Sequence, residues 1–316
     1  MSDIHIRAME SGDLAGVLRV WNRTMKRDPI DAMRFARFIL ADPDYRPGPD
    51  SGFFVALRGA EPVGFCRAVV RRWPDDRPGA ERNEGWIPVL AVDPGCRRAG
   101  VGAALLDTAL DHFRQHRRKR IWVCGTPLSA PGALTPGIDD DAYPGVRELF
   151  ARFGFVLDRT VYAMARDVID FDAETARAVA WAGGPAVDIE PVTPECVQDL
   201  RAYLAAAWPG GWNEAAREKL QRGELHEMLI ARRQSVVVGY CQWACEHFGP
   251  FGVTEADRNQ QIGAKLFVEA LRRIREADGR YVSMDWADDH SRRFFERFGL
   301  SVIRRFSVMR KDMPGG

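Results

Sequence analysis

Apolar and polar positions along the chain fall into two series of short blocks. Near the start, DIHIRAM alternates as an edge strand does, and GDLAGVLRVWNRTM has apolar residues at helical spacing, with Asp13 near its start as a cap. GFFVALRG and EPVGFCRAVVRRW then read as an antiparallel pair around the turn Arg58-Gly59-Ala60-Glu61-Pro62. GWIPVLAV is almost continuously apolar, which predicts a buried central strand. Its Pro88 removes a ladder hydrogen bond and predicts a bulge or break. The spacing from Val101 to His116 predicts an amphipathic helix, and RIWVCG from Arg120 a following strand.

The second half repeats the plan: VDIEPV, CVQDLRAYLAAAW, EMLIARRQSVVVGYCQWACE, then HFGPFGV in place of the broken strand. Laid over each other without a gap, VDPGCRRAGVGAALL from Val92 and VTEADRNQQIGAKLF from Val253 place Arg97 on Arg258 and Gly102 on Gly263. RYVSMDW from Arg280 matches RIWVCG, and FFERFGL matches ELFARFGF. TVYAMARDV from Thr160 matches RFSVMRKDM from Arg305, with Met164 and Met309 in register. The main difference in length is an insertion in the first copy, GTPLSAPGALTPGIDDDAYPG from Gly125. Four blocks in the same order identify an internal repeat. The expected domains are residues 1–167 and 187–316, and the linker of residues 168–186 ends in Gly-Gly-Pro. The element order describes an α/β (α+β) protein: in each copy, a mixed, mostly antiparallel sheet flanked by helices.

Composition narrows the function. The 316 residues suit two domains, and a formal net charge of +1 gives no wholesale attraction to nucleic acid or anionic membrane. No apolar run is long enough to span a bilayer, and the N-terminus is too charged for a signal peptide. The six cysteines have no framework spacing, so a reducing cytoplasm is the expected setting, with Cys241 and Cys245 as small buried side chains. His112 and His116 lie four apart on the predicted helix, but no third ligand accompanies them. A solvated helix face is expected there, and no metal.

The stretch CRRAGVGAALL from Cys96 carries the chemistry. A helix that starts at Val101 leaves backbone N–H groups unpaired in its first turn, at the positive end of the helix dipole. Glycine admits a ligand close to the backbone, and consecutive amides can then encircle a diphosphate. Arg97 and Arg98 add charged donors. No Gly-Lys-Ser/Thr follows, which excludes a Walker loop. The first glycine of a dinucleotide fingerprint is also missing.

VLAVDPGCRRAGVGAALL, followed by IWVCG and ELFARFGF, resembles the GNAT superfamily of N-acetyltransferases. With the repeat, the resemblance covers nearly the whole chain and implies a tandem GNAT arrangement. It implies two central strands that splay apart, with acetyl-CoA or another acyl-CoA in the gap. The matching diphosphate loop is Arg97, Arg98, Ala99, Gly100, Val101, Gly102 and Ala103, and the pantetheine arm pairs with Leu90, Ala91 and Val92. In the second copy the same roles fall on Val253, Arg258, Asn259, Gln260, Gln261, Ile262, Gly263 and Ala264, where Gln261 replaces the first glycine. Many members carry a tyrosine acid in a Phe-Tyr pair before the Gly-Phe. Here those pairs are Leu149-Phe150 and Phe294-Phe295.

Acyl transfer to an amine requires a base to deprotonate the ammonium, and donors at the developing oxyanion. Glu84 and Glu246, just before the broken strands, are candidate bases; a solvated or salt-bridged carboxylate is the alternative for each. Asp285, on the strand after the second helix, is a further candidate, and Tyr143 in the insertion is a substitute acid. Asp139, Asp140 and Asp141 either attract a cationic amine or form an exposed acidic turn. Trp208 and Trp212 either line a substrate pocket or pack under a loop. The expected partner is a small-molecule amine, with no nucleic acid and no membrane, and the expected state is a monomer or homodimer. A CoA-binding sensor without turnover is the alternative function.

Overall fold

The computed structural model describes residues 4–42, 44–71, 83–124, 135–208 and 211–314. The chain divides into two compact units, one of Met1–Tyr162 with Arg304–Gly316 and one of Ala163–Ile303. The segment 304–316, part of the second repeat in the sequence, therefore packs in the first unit.

The first unit contains β1 (Ile4–Ala8), α1 (Leu14–Thr24), α2 (Ala32–Phe35, prolonged by a wider turn over Ala36–Leu40), β2 (Phe53–Arg58) and β3 (Glu61–Val70). It continues with β4 (Glu84–Val92), α3 (Val101–Gln115), β5 (Arg120–Val123), α4 (Val146–Arg152) and the start of β6 (Val156–Asp167). The second unit holds α5 (Ala173–Trp181), β7 (Asp188–Pro191), α6 (Val197–Ala207), α7 (Gly211–Gln221), β8 (Met228–Arg233) and β9 (Val236–Ala244). Then come β10 (His247–Val253), α8 (Ile262–Glu276), β11 (Tyr281–Ala287), α9 (Asp289–Glu296) and the start of β12 (Ser301–Asp312).

In the first unit β1 to β4 pair antiparallel in chain order, and β5 runs parallel to β4. The end of β12 completes this sheet antiparallel to β5, with Met309 opposite Val123. The second unit follows the same plan from β7 to β11, with the end of β6 beside β11. Each sheet is thus finished by a strand that starts in the other unit.

Two irregularities prepare the site. β4 and β5 pair only from Glu84 opposite Arg120 to Trp86 opposite Trp122, and then part. β10 and β11 pair only at His247 opposite Ser283. The ladder between β3 and β4 shifts register opposite Arg67–Val69, where Pro88 falls, and that between β9 and β10 shifts between Phe248 and Phe251, where Pro250 falls. A proline in a central strand has no N–H for the ladder, so the strand bulges there.

Successive residues of a strand face opposite sides of the sheet. In the first unit Ile87 and Val92 pack with Leu105, Leu106 and Phe113 of α3, while Val89 and Ala91 pack with Trp21 of α1, Phe35 of α2 and Phe65. In the second unit Phe248 turns onto Phe267 of α8, and the α6–α7 side covers Tyr240, Met228 and Ile230.

Candidate active site

The loop after β4 turns through two left-handed residues, Arg98 (φ 61°) and Gly100 (φ 83°), before α3 begins. The guanidinium of Arg97 folds back, its Nε donating to the Val92 carbonyl at 3.2 Å. Asp93 accepts from the Gly95 amide at 2.9 Å and pairs with Arg23 at 3.1 Å, which pins the turn. The first hydrogen bond of α3 runs from the Ala104 amide to the Gly100 carbonyl at 3.0 Å. By helix geometry the amides of Val101, Gly102 and Ala103 then have no acceptor within the helix. Residues 97–100 are exposed, and a Cβ built on Gly100 would meet nothing within 4 Å. Glycine is therefore favoured there by backbone angle, and the amides open onto space an anion can enter.

The second loop repeats this main chain residue for residue. Asn259 (φ 61°) and Gln261 (φ 62°) are left-handed, the Arg258 Nε donates to the Val253 carbonyl at 3.3 Å, and the Lys265 amide bonds the Gln261 carbonyl at 3.0 Å. What differs is the covering. The linker glycines lie against this loop: a Cβ on Gly184 would be 2.4 Å from the Gln260 carbonyl oxygen, and one on Gly183 would be 2.7 Å from Gln261 Nε2. Lys265 is buried and donates to the Pro185 carbonyl at 3.1 Å, whereas Ala104, its counterpart on α3, is exposed.

Leu90, Ala91 and Val92, and likewise Val253, lie on the strand ends that lead from each splay into its loop. The remaining sequence candidates scatter. Glu84 lies at the closed end of the first splay, opposite Arg120. Glu246 lies at the closed end of the second, where Oε1 accepts from the Arg280 amide at 2.8 Å and the Tyr281 amide at 3.1 Å. Tyr143 donates its hydroxyl proton to Asp28, and burial, followed by that carboxylate, pushes its phenol above the ordinary range. Arg304 bridges Asp28 at 2.5 Å and the buried Asp139 at 2.8 Å; Arg27 also approaches Asp139, at 3.5 Å. Asp140 accepts from Ser307 at 2.7 Å and Arg147 at 3.2 Å. These two carboxylates are thus already matched by cations of the first unit rather than left to draw in an amine. Residues 125–134 of the insertion lie outside the described residues.

Two expectations need correction. His112 is buried, edge-on to Phe54 at 5.5 Å, and not part of a solvated face, because α3 turns it under β2. Among the described residues no cluster suits a metal ion. Cys245 is exposed in the β9–β10 turn, while Cys241 is buried as expected.

Asp285 has a neighbour that residue order does not reveal. His247 opens β10, on the face opposite Phe248, and its Nδ1 lies 3.8 Å from Asp285 Oδ2. Burial lowers the imidazole pKa below its ordinary value, and Asp285 opposes that shift. The register that sets His247 opposite Ser283 brings Asp285 to the same face, where β10 and β11 part. On that face, Trp208 and Trp212 stack at 4.3 Å and press on Gly252, whose Cβ would come within 2.5 Å of Trp208. In the first unit the equivalent register, Trp86 opposite Trp122, puts Trp86 and Cys124 in those places. Trp86 is buried beneath Arg71, at 5.4 Å, and burial holds the Cys124 thiol up at about 12.

With this geometry in view, the comparisons are consistent. Residues 8–133 match the model of the acetyltransferase (GNAT) family. The GCN5-related glucosamine N-acetyltransferase region of a fungal multi-domain GH3 β-N-acetylglucosaminidase superposes with a TM-score of 0.80 at 18% identity, covering 98% of this chain. This chain spans only 38% of the length of that fungal protein. A GCN5-related N-acetyltransferase from Sphaerobacter thermophilus gives 0.69 at 16% identity, over 98% of this chain and 95% of the other. A tandem GNAT protein from the clavulanic acid biosynthesis pathway gives 0.61 at 17%, over 99% and 100%. At such identities the likeness establishes the fold. No curated protein sequence matches the chain significantly. Among the described residues no helix is long and apolar enough to cross a membrane.

Proposed function

From the premise that this chain carries a GNAT acetyltransferase domain and has the GNAT fold over nearly its whole length, we propose that it transfers an acyl group from acyl-CoA to a small-molecule amine. The observation that carries this reading is the paired loop: two left-handed residues and an arginine anchored on the last strand carbonyl, built twice ahead of a helix, with the helix N-terminus open in the first copy.

The residues fit a CoA diphosphate. The amides of Val101, Gly102 and Ala103 would donate to its oxygens, with Arg97 and Arg98 supplying charge. The second loop would use Ile262, Gly263 and Ala264 with Arg258. When bound, the thioester supplies the activated acyl carbon. The parted strands β4 and β5, or β10 and β11, leave edge amides beside it that can polarise its carbonyl. Transfer would be direct, with amine and thioester held together, so that proximity replaces a covalent intermediate. Of the carboxylates first considered, Glu246 is engaged by two main-chain amides and Glu84 sits where the strands are still paired. Tyr143 keeps its proton, as an acid must, but its O–H is engaged in a hydrogen bond to Asp28.

The test is calorimetry with CoA followed by thiol release from acetyl-CoA with a panel of polyamines, aminoglycosides, amino sugars and amino acids. Binding together with acceptor-dependent thiol release is expected. No association at millimolar CoA would end the reading. Binding without release from any acceptor would favour the second reading, a CoA sensor. The observations behind that reading are the phenylalanines at both tyrosine positions, with Phe295 buried and edge-on to the half-buried Phe294 at 5.0 Å.

A further inference from the structure

We propose that acyl transfer takes place in the second unit, with His247 as the general base and Asp285 as the residue that positions and charges it. The inference rests on the acyltransferase reading above and adds to it a reacting unit and a base.

Three features of the second unit converge. The first is place. His247 is the last β10 residue still paired with β11, so its side chain stands where the two strands open. The second is a polar line on that same sheet face. Tyr240 and Gln242 of β9 share it, hydrogen-bonded to each other and buried, with Asp285 and Ser283 on β11. The matching β3 residues of the first unit are Phe65, stacked on Trp21 at 5.4 Å, and Arg67, locked to Asp42 at 2.6 Å. The third is a wall for a substrate. The stacked indoles of Trp208 and Trp212 are both partly exposed and lie over Gly252 at the other end of the strand. Indole faces and a carboxylate together suit a cationic amine carried on a flat or apolar body.

The charged neighbours of His247 are accounted for. Asp285 faces it from β11. Glu246, adjacent in the chain, is held by the Arg280 and Tyr281 amides. Glu227, before β8, bonds the Cys245 amide at 3.1 Å and Lys219 of α7. Asp285 is therefore the carboxylate left to act on the imidazole, and it lies on the Nδ1 side, which leaves Nε2 for the acceptor.

The step balances. One proton of the substrate ammonium passes to His247 Nε2. The neutral nitrogen attacks the thioester carbonyl, forming the C–N bond. The C–S bond then breaks, the second nitrogen proton goes to the departing sulfur, and a free thiol leaves. The imidazolium returns its proton to water.

The experiment uses the full chain and compares wild type, His247→Gln and Asp285→Asn by the pH profile of kcat and by CoA calorimetry. His247→Gln should lower kcat about 100-fold or more, the range expected for loss of a general base. Its CoA affinity should stay within about twofold, and the acid limb of the profile should vanish. Asp285→Asn removes a charge that favours the imidazolium, so the acid limb should move to lower pH. A purely structural carboxylate would lower activity without moving that limb. If His247→Gln failed to fold, the Asp285→Asn limb shift would decide. Wild-type turnover with half the kcat or more kept in His247→Gln, or an unmoved limb in Asp285→Asn, overturns this assignment alone. Absence of wild-type turnover overturns the acyltransferase reading itself.

Discussion

The sheet faces of β4 and β10 that look away from α3 and α8 have gone opposite ways. In the first unit this face is sealed by Trp21, Phe35, Phe53 and Phe65, stacked or edge-on at 5.4 to 6.2 Å, and by the buried Arg67, paired with Asp42. In the second unit it carries Tyr240, Gln242, His247 and Asp285, with two stacked indoles over Gly252 at the far end of β10. The loops reverse the contrast. The first is open, with glycine at its left-handed helix entry; the second has Gln261 there and the linker against it. The scaffold thus repeats one main-chain loop, while the corresponding sheet faces carry different side chains: an aromatic cluster with Arg67 in the first unit, an imidazole beside a carboxylate in the second. Loop and face can diverge separately, because the loop is a main-chain device and the face is a side-chain one.

The largest effect that would sharpen this contrast is on stability. Trp21→Ala empties the aromatic core of the first unit and should cost about 3–5 kcal/mol, read as a drop in the denaturant midpoint. A cost below about 1 kcal/mol would mean that this face is not a close-packed core. Next comes charge reversal in the two loops. Arg258→Glu should cut kcat/KM about 30- to 150-fold by setting a negative charge against phosphate, as loss of about 2–3 kcal/mol implies. Arg97→Glu should remove one CoA equivalent from calorimetry yet leave turnover near wild type. The reverse pattern would move the reaction to the first unit.

Gly252→Ala sets a methyl group against the indole pair, where the Cβ would be 2.5 Å from Trp208. Overpacking of this kind costs about 1–3 kcal/mol, and KM for the amine should rise about tenfold with CoA affinity unchanged. An unaltered KM would remove the indoles from the acceptor site. The smallest effect is expected from Gln261→Gly. It relieves a left-handed non-glycine residue, offset partly by the freer unfolded chain, for a net gain of about 0.5–1 kcal/mol. It should also tighten CoA in the second loop; weaker binding there would show that the glutamine amide itself donates to the ligand.

Much of the molecule was legible in residue order. The RxxGxG run encodes its own turn and helix start, because left-handed angles, capping and the first helical bond depend on neighbours within about five residues. The bulge at Pro88 was legible for the same reason: proline cannot join the ladder wherever it sits in a strand. His112 was misread because helical spacing tells which residues share a face, not what lies across from it. Asp285 could be suspected but not placed, since it faces His247 from 38 positions away only through the parallel register of β10 on β11. The signal available for His247 was its position as first residue of the broken strand, beside a phenylalanine that must turn the other way.

The amino-acid sequence by itself determined a repeated α/β plan, two left-handed turns that open helices and the split between intact and altered glycine, because each is written in local backbone preferences. Tertiary structure alone decided which sheet each terminal strand completes. TVYAMARDV and RFSVMRKDM are so alike that no local pattern distinguishes their partners, and only packing sends residues 304–316 to the first unit. It also decided that Arg304 meets Asp28 and Asp139, and that a histidine and an aspartate share the mouth of the second splay. Such meetings arise from strand register and burial, which join residues that chain order keeps apart.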